Sequence, residues 1–183
     1  MKVYFVTGNK EKFEEDKAIL AVHGIDVEHV NMILPEIQAD PPEIAKHKAR
    51  VAAEKTGKPC FVDDTALCFN ALNGLPGEYI KFFAEKLGLV NLVKLLDGFD
   101  DKTAKAMAVV AYCEPGKEPE VFEGIVEGKI VQPRGKRFVW DPIFQPDGFE
   151  ETYAEMTQEQ KNKISHRKKA MDKFVKYLGG IEK

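Results

Sequence analysis

An unbroken apolar run, Val3-Tyr4-Phe5-Val6, opens the chain. Bounded by Gly8-Asn9, it predicts a buried strand over residues 2–7 and then a tight turn. Over residues 10–22 the period changes: Phe13, Ala18, Leu20 and Ala21 recur near helical spacing and predict a helix. A short strand is expected over 26–32. Pro41-Pro42 then opens a second helix to about residue 55, because proline costs no hydrogen bond in the first turn. Residues 60–63 read as a strand, and 78–96 as a helix broken at Gly88. Strands are expected at 105–112, 120–124 and 127–131, with a turn at Pro115-Gly116, and a last helix covers 158–178. Strands and helices alternate early and strands cluster late. The pattern predicts an α/β fold, a mixed sheet with helices packed around it.

Composition narrows the class. A chain of 183 residues is expected to form a single domain (1–183) able to bury a core without staples. A hydrophobic share of 44% and a charged share of 31% are those of an ordinary globular protein. The net charge of −3 argues against a protein that coats nucleic acid or anionic membrane. No stretch approaches the roughly 18–20 apolar residues of a membrane span, and the opening run is too short for a signal peptide. Cys60, Cys68 and Cys113 form no Cys-x-x-Cys pair, which suits reduced thiols in a cytoplasmic protein.

Four segments carry chemistry. In Val62-Asp63-Asp64-Thr65 two adjacent acids close an apolar strand-like stretch. They are either a surface turn or, held by a positive partner, a Mg²⁺ site. Thr7-Gly8-Asn9-Lys10-Glu11-Lys12 joins a strand to a helix and offers backbone N–H groups to a phosphate. It lacks the Walker and dinucleotide glycine spacings, and a plain turn capped by Asn9 would look the same. Phe138-Val139-Trp140-Asp141-Pro142 is either a base-stacking loop or, with aromatics at i and i+2, part of the core. From Lys161 onward eight Lys/Arg face two acids, so this end attracts anions.

Taken in order, these segments resemble the inosine triphosphate pyrophosphatase family, in its eukaryotic type. The similarity runs through Thr7-Gly8-Asn9 with Lys12, Leu34-Pro35-Glu36, Val62-Asp63-Asp64-Thr65, Leu75-Pro76-Gly77 and Tyr79-Ile80-Lys81. It continues through Pro133-Arg134-Gly135, Trp140-Asp141-Pro142, Phe144-Gln145-Pro146-Asp147-Gly148, Thr152-Tyr153-Ala154-Glu155-Met156 and Ser165-His166-Arg167. Each motif is weak alone; the ordered set covers nearly the whole chain.

The resemblance implies a twisted mixed β-sheet flanked by helices, two lobes around an active-site cleft, and a homodimer. It implies a Mg²⁺-dependent hydrolase (Mn²⁺ as substitute) that cleaves ITP, dITP and XTP to monophosphate and pyrophosphate. Thr7, Gly8, Asn9, Lys10, Glu11 and Lys12 would contact phosphates, with Lys48, Thr65, Lys81 and Lys161 also approaching the nucleotide. Glu36 and Asp64 would hold the metal, Asp64 or Asp63 would orient the attacking water, and Lys12, Lys48 and Lys161 would stabilise the leaving group. Phe138, Val139, Trp140 and Asp141 would hold the base, and His166 and Arg167 would read its exocyclic oxygen. The partner is a small nucleotide, with no nucleic acid and no membrane. A house-cleaning pyrophosphatase of other base preference, and a non-catalytic nucleotide or RNA binder, are the alternatives.

Two positions depart from the family pattern. Asp63 stands where Glu is frequent, a shortening that draws the carboxylate inward. Val139 stands where Gly is common. Because a β-branched residue is strained at positive φ, Val139 is expected in extended backbone, its side chain opposite Phe138 and Trp140 and packed into the core.

Overall fold

The structure is a computed structural model describing residues 2–136 and 139–181. Its elements are β1 (Lys2–Val6), α1 (Lys10–Ala21), β2 (Asp26–Val30), α2 (Pro41–Thr56), β3 (Cys60–Phe69), β4 (Pro76–Gly77), α3 (Ile80–Leu87), α4 (Leu89–Lys94), β5 (Thr103–Cys113), β6 (Glu120–Ile130), β7 (Phe144–Pro146), α5 (Gln158–Ile164) and α6 (His166–Ile181). One seven-stranded sheet runs β2-β1-β3-β5-β6-β7, with β4 beside β3. β1 is parallel to β2 and β3, whereas β3–β4 and β6–β7 are antiparallel, so the sheet is mixed as predicted. Among the described residues no helix is long and apolar enough to cross a membrane.

Local chemistry accounts for the boundaries. Pro41 and Pro42 occupy the first positions of α2, which ends at Gly57 in the left-handed region (φ 65°), whose N–H bonds the Ala53 carbonyl. Thr157 and Gln160 close a capping box on α5.

Three expectations are corrected. The segments at 120–124 and 127–131 are one strand, β6. Within β6 Gly128 permits a close approach: a Cβ there would stand 2.4 Å from the Gln145 carbonyl oxygen. The last helix is two, because Ser165 adopts an extended conformation (φ −65°, ψ 152°) between α5 and α6. Serine leaves the helix readily, since its hydroxyl competes for backbone groups. Finally, β3 does not end at the acid pair but continues to Phe69. Apolar residues return after the charges, and Ala66, Leu67 and Phe69 are all buried.

The chain divides into two compact units. The first comprises Met1–Asp64, Ala108–Gly124 and Lys168–Lys183. Its core gathers Val3, Phe5, Phe13, Leu20, Phe61, Val110, Tyr112 and Phe174. Phe5 stacks on Phe61 with centroids 4.5 Å apart. The second comprises Thr65–Met107 and Ile125–Arg167. It has its own core of Leu67, Phe69, Ile80, Leu92, Trp140, Ile143, Phe144 and Tyr153. The strands β3, β5 and β6 each contribute residues to both units.

Candidate functional site

In the first unit, the turn after β1 closes on its own backbone. Thr7 Oγ1 accepts from the Asn9 N–H (3.1 Å) and Asn9 Oδ1 from the Lys12 N–H (3.2 Å), so Asn9 caps α1. Gly8 and Lys10 stand exposed, Thr7 and Asn9 are half-buried, and Glu11 lies in the first turn of α1. Lys12 Nζ donates to the Asp63 carbonyl at 2.8 Å and lies 3.6 Å from Asp63 Oδ2.

The acids divide by strand alternation, neighbouring residues facing opposite sides of the sheet. Asp63 turns inward and its side chain is fully buried, the direction expected of the shorter acid. Asp64 turns to Lys48, a residue on the buried side of α2. Lys48 Nζ donates to Asp64 Oδ1 at 2.6 Å and to Glu36 Oε1 at 3.0 Å, so one ammonium holds two carboxylates. Burial works against that charge, yet Asp64 first and Glu36 second outweigh it and hold Lys48 above the ordinary lysine range. Asp64 Oδ2 is buried with no hydrogen-bond partner, and Glu36 is 69% exposed. Glu36, Asp63 and Asp64 against Lys12 and Lys48 leave one negative charge in excess.

These donors suit a hard divalent cation of modest demand. Among the described residues no group of three or more His, Cys, Asp or Glu gathers. Two carboxylates, one with a spare buried oxygen, match Mg²⁺, which takes one or two carboxylates and completes its shell with waters and substrate phosphates.

The second unit assembles rings around a buried ion pair. Lys161 Nζ meets Asp141 Oδ2 at 2.5 Å and lies 5.2 Å above the Tyr153 ring. Tyr153 stacks on His166 at 5.8 Å, and Trp140 lies 5.4 Å from His166 and edge-on to Phe144 at 6.0 Å. Burial first, and the negative Asp141 second, push the Tyr153 phenol well above its ordinary range. Trp140 is only 5% exposed, so the aromatic alternative that holds for it is the core one. Phe138 lies outside the described residues. His166 is buried and Arg167 half-buried at the start of α6, and Thr65 is half-buried on β3. Lys81 is 73% exposed on α3, where its ion pair is with Glu85 at 3.9 Å, and no contact joins it to the other candidates among the described residues.

Val139 is corrected. It has φ 25°, not extended backbone, and its side chain packs partly against the second core. Residues 139–140 form a turn leading into a 3-10 turn at Asp141–Ile143, and that path overrides the residue's own preference.

A profile of the Ham1 family matches residues 3–177. The chain belongs to the Ham1 family. Among relatives, the inosine triphosphate pyrophosphatase of Puccinia graminis f. sp. tritici is 51% identical over 186 residues, covering 97% of each chain. That of Tuber melanosporum is 50% identical over 178 residues, covering 96% of each. The solved Ham1 protein of Staphylococcus aureus superposes with a TM-score of 0.88 at 29% identity, covering 100% of both chains. A nucleoside-triphosphatase / dITP/XTP pyrophosphatase from Mycobacterium abscessus gives a TM-score of 0.78 at 30% identity, covering 95% of this chain and 98% of that one.

Sequence reasoning missed His29 in this Ham1 chain and named Arg134 without giving it a role. His29 Nε2 lies 2.8 Å from the Thr7 carbonyl oxygen, and its ring stacks on Phe13 at 4.5 Å. A carbonyl only accepts, so Nε2 carries the proton and His29 ties down the first turn. Only the parallel register, Phe5 beside His29, reveals it. In the second unit, Arg134 donates to Gln145 Oε1 and to the Glu150 carbonyl, both at 2.9 Å, and so ties itself to the segment after β7. Gly135 beside it has φ 81°, and a Cβ there would meet Ala154 backbone at 2.8 Å, a physical reason for the glycine of that motif.

Proposed function

We propose that the protein hydrolyses non-standard purine nucleoside triphosphates (ITP, dITP and XTP) to the monophosphate and pyrophosphate, clearing them from the nucleotide pool. The observation that carries this reading is Lys48 holding Glu36 and Asp64 together, beside the Asn9-capped turn and Lys12. Such a cluster handles a metal-bound polyphosphate; a binder that only stacked bases would need no paired acids.

In this mechanism Gly8 and Lys10 receive phosphate oxygens on backbone N–H groups at the start of α1, while the Thr7 and Asn9 N–H groups, bonded to the Val30 carbonyl and Thr7 Oγ1, hold the turn in shape. Glu36 and Asp64 hold Mg²⁺ (Mn²⁺ as substitute), which when bound neutralises phosphate charge. Asp64 orients a water in line with the α-phosphorus and takes its proton. Complete burial of Asp63, with Lys12 beside it, supports Asp64 for that task and gives Asp63 the role of placing Lys12. Lys12 and Lys48 stabilise the charge that grows on pyrophosphate as the bridging P–O bond breaks.

Selectivity is assigned to Arg167. Inosine and xanthine carry oxygen at C6, where adenine carries an amino group. Arg167 donates to that oxygen; facing the adenine amine, it would be left without an acceptor. Contacts of His166 with Trp140 and Tyr153 support a holding role for it beneath Arg167. Lys161 is bonded to Asp141, the residue that follows Trp140, so we assign this pair to fixing the base loop.

We also read the protein as cytoplasmic and homodimeric. Its three cysteines are free, and burial pushes the Cys68 thiol up to about 11. Sedimentation tests the dimer. The function is tested by incubating the protein and Mg²⁺ with ITP, dITP, XTP, GTP and ATP and quantifying pyrophosphate. Release from the first three well above GTP and ATP is expected; equal release from all five, or none, overturns the reading.

A further inference from the structure

The carboxylates assigned to the metal are already bonded to a cation of the protein's own. We propose that Lys48 is an exchangeable internal cation. It holds Glu36 and Asp64 when no nucleotide is bound and passes to the triphosphate when the metal arrives, so the free protein binds divalent metal weakly and takes it up with the nucleotide. This rests on the reading that Glu36 and Asp64 hold the metal.

Three observations carry it. Lys48 Nζ bonds both acids, to Asp64 Oδ1 at 2.6 Å and Glu36 Oε1 at 3.0 Å, so an incoming cation competes for those oxygens and meets like charge beside them. Asp64 Oδ2 is buried without a hydrogen-bond partner, leaving half of that carboxylate for a second cation once the ammonium moves aside. The backbone beneath Lys48 is fixed, since Ile44, Ala45, Ala49 and Ala52 of α2 are all buried, whereas the lysine arm is a flexible four-carbon stem ending in three rotatable donors. Exchange therefore needs only side-chain rotation.

Charge balance gives the direction. With Lys48 engaged, the pair Glu36–Asp64 shows a metal one net negative charge; with Lys48 withdrawn it shows two. A triphosphate supplies the acceptor that lets the ammonium withdraw. Metal and nucleotide each help the other bind, and by reciprocity the coupling is the same from either side.

The test measures Mn²⁺ affinity by electron paramagnetic resonance, without turnover, on free protein and on protein saturated with an ITP analogue bridged by methylene between the α and β phosphorus. Wild type, Lys48→Met, Lys48→Arg and Asp64→Asn are compared, with a thermal melt confirming that each folds. Lys48→Met should bind Mn²⁺ more tightly than wild type in the free state, by on the order of tenfold, because the competing charge is gone. Lys48→Arg should stay weak. The gain in Mn²⁺ affinity on adding the analogue should shrink in Lys48→Met by a similar factor. Free Lys48→Met binding no better than free wild type, or unchanged coupling, overturns the proposal. If Asp64→Asn leaves Mn²⁺ binding to the analogue-loaded protein unaltered, the metal is not on these acids, and the reading beneath the proposal fails separately. Should Lys48→Met not fold, Lys48→Gln takes its place, and wild type alone still discriminates: tight Mn²⁺ binding to the free protein contradicts the exchange.

Discussion

Val139 gives a mutational test whose sign depends on one backbone angle. At φ 25° a β-branched side chain is strained, by about 1–2 kcal/mol for a residue forced into the left-handed region. Val139→Gly removes that strain. It also removes a partly buried side chain; full burial of a valine contributes about 1.5–3 kcal/mol, so a half-buried one loses about 1 kcal/mol. Glycine adds about 0.5–1 kcal/mol of chain entropy to be lost on folding. The three terms nearly cancel, and Val139→Gly should melt close to wild type. Val139→Ala loses the two γ-methyls, most of that packing, but keeps its Cβ, and with it the strain. Glycine should therefore be more stable than alanine at this position, by about 0.5–1 kcal/mol. For a chain of this size that is a Tm higher by about 1–4 °C. Differential scanning calorimetry of both variants measures it. Were Val139 in extended backbone the order would reverse, so an alanine variant melting above the glycine variant would refute the reasoning.

Asp64→Asn keeps the shape of the side chain and removes its charge and basicity; kcat on ITP should fall by about 10²–10⁴-fold, and near-wild-type turnover would take Asp64 out of the mechanism. Arg167→Ala should lower kcat/KM for ITP by about 1.5–3 kcal/mol and barely alter that for ATP, since only the keto base gains from the donor. An equal loss on both would move Arg167 to the phosphates. His29→Phe keeps the stack on Phe13 and loses the bond to Thr7; KM for ITP should rise about 3- to 10-fold with kcat little changed, and His29→Gln, which keeps a donor, should recover part of it. Identical kinetics in wild type and His29→Phe would mean the first turn needs no tie.

How much was legible in the sequence followed from how local each signal is. The α/β order, the Pro41-Pro42 helix start and the Gly88 break are written in neighbouring residues, and the fold reproduces them. The continuity of β3 through Asp63-Asp64 was not legible, because two charges inside a strand are tolerable only with Lys12 and Lys48 beside them. These partners stand 51 and 16 residues away. The Ser165 break hid because a single extended residue barely disturbs a helical pattern. In the candidate site, residue types pointed to acids, lysines and the capped turn. Which acid faces Lys48 needed strand alternation set by the fold, and His29 needed the β1–β2 register. Val139 failed for a different reason: intrinsic preference argued for extended backbone, and the turn entering Asp141–Ile143 prevailed.

The central claim is that water attacks the α-phosphorus of a keto-purine triphosphate. Hydrolysis of ITP in H₂¹⁸O, with both products analysed by mass spectrometry, tests it most directly. The account predicts one IMP and one pyrophosphate per ITP, with the label in the IMP phosphate and none in pyrophosphate. Label in pyrophosphate, or release of orthophosphate with IDP, would contradict it.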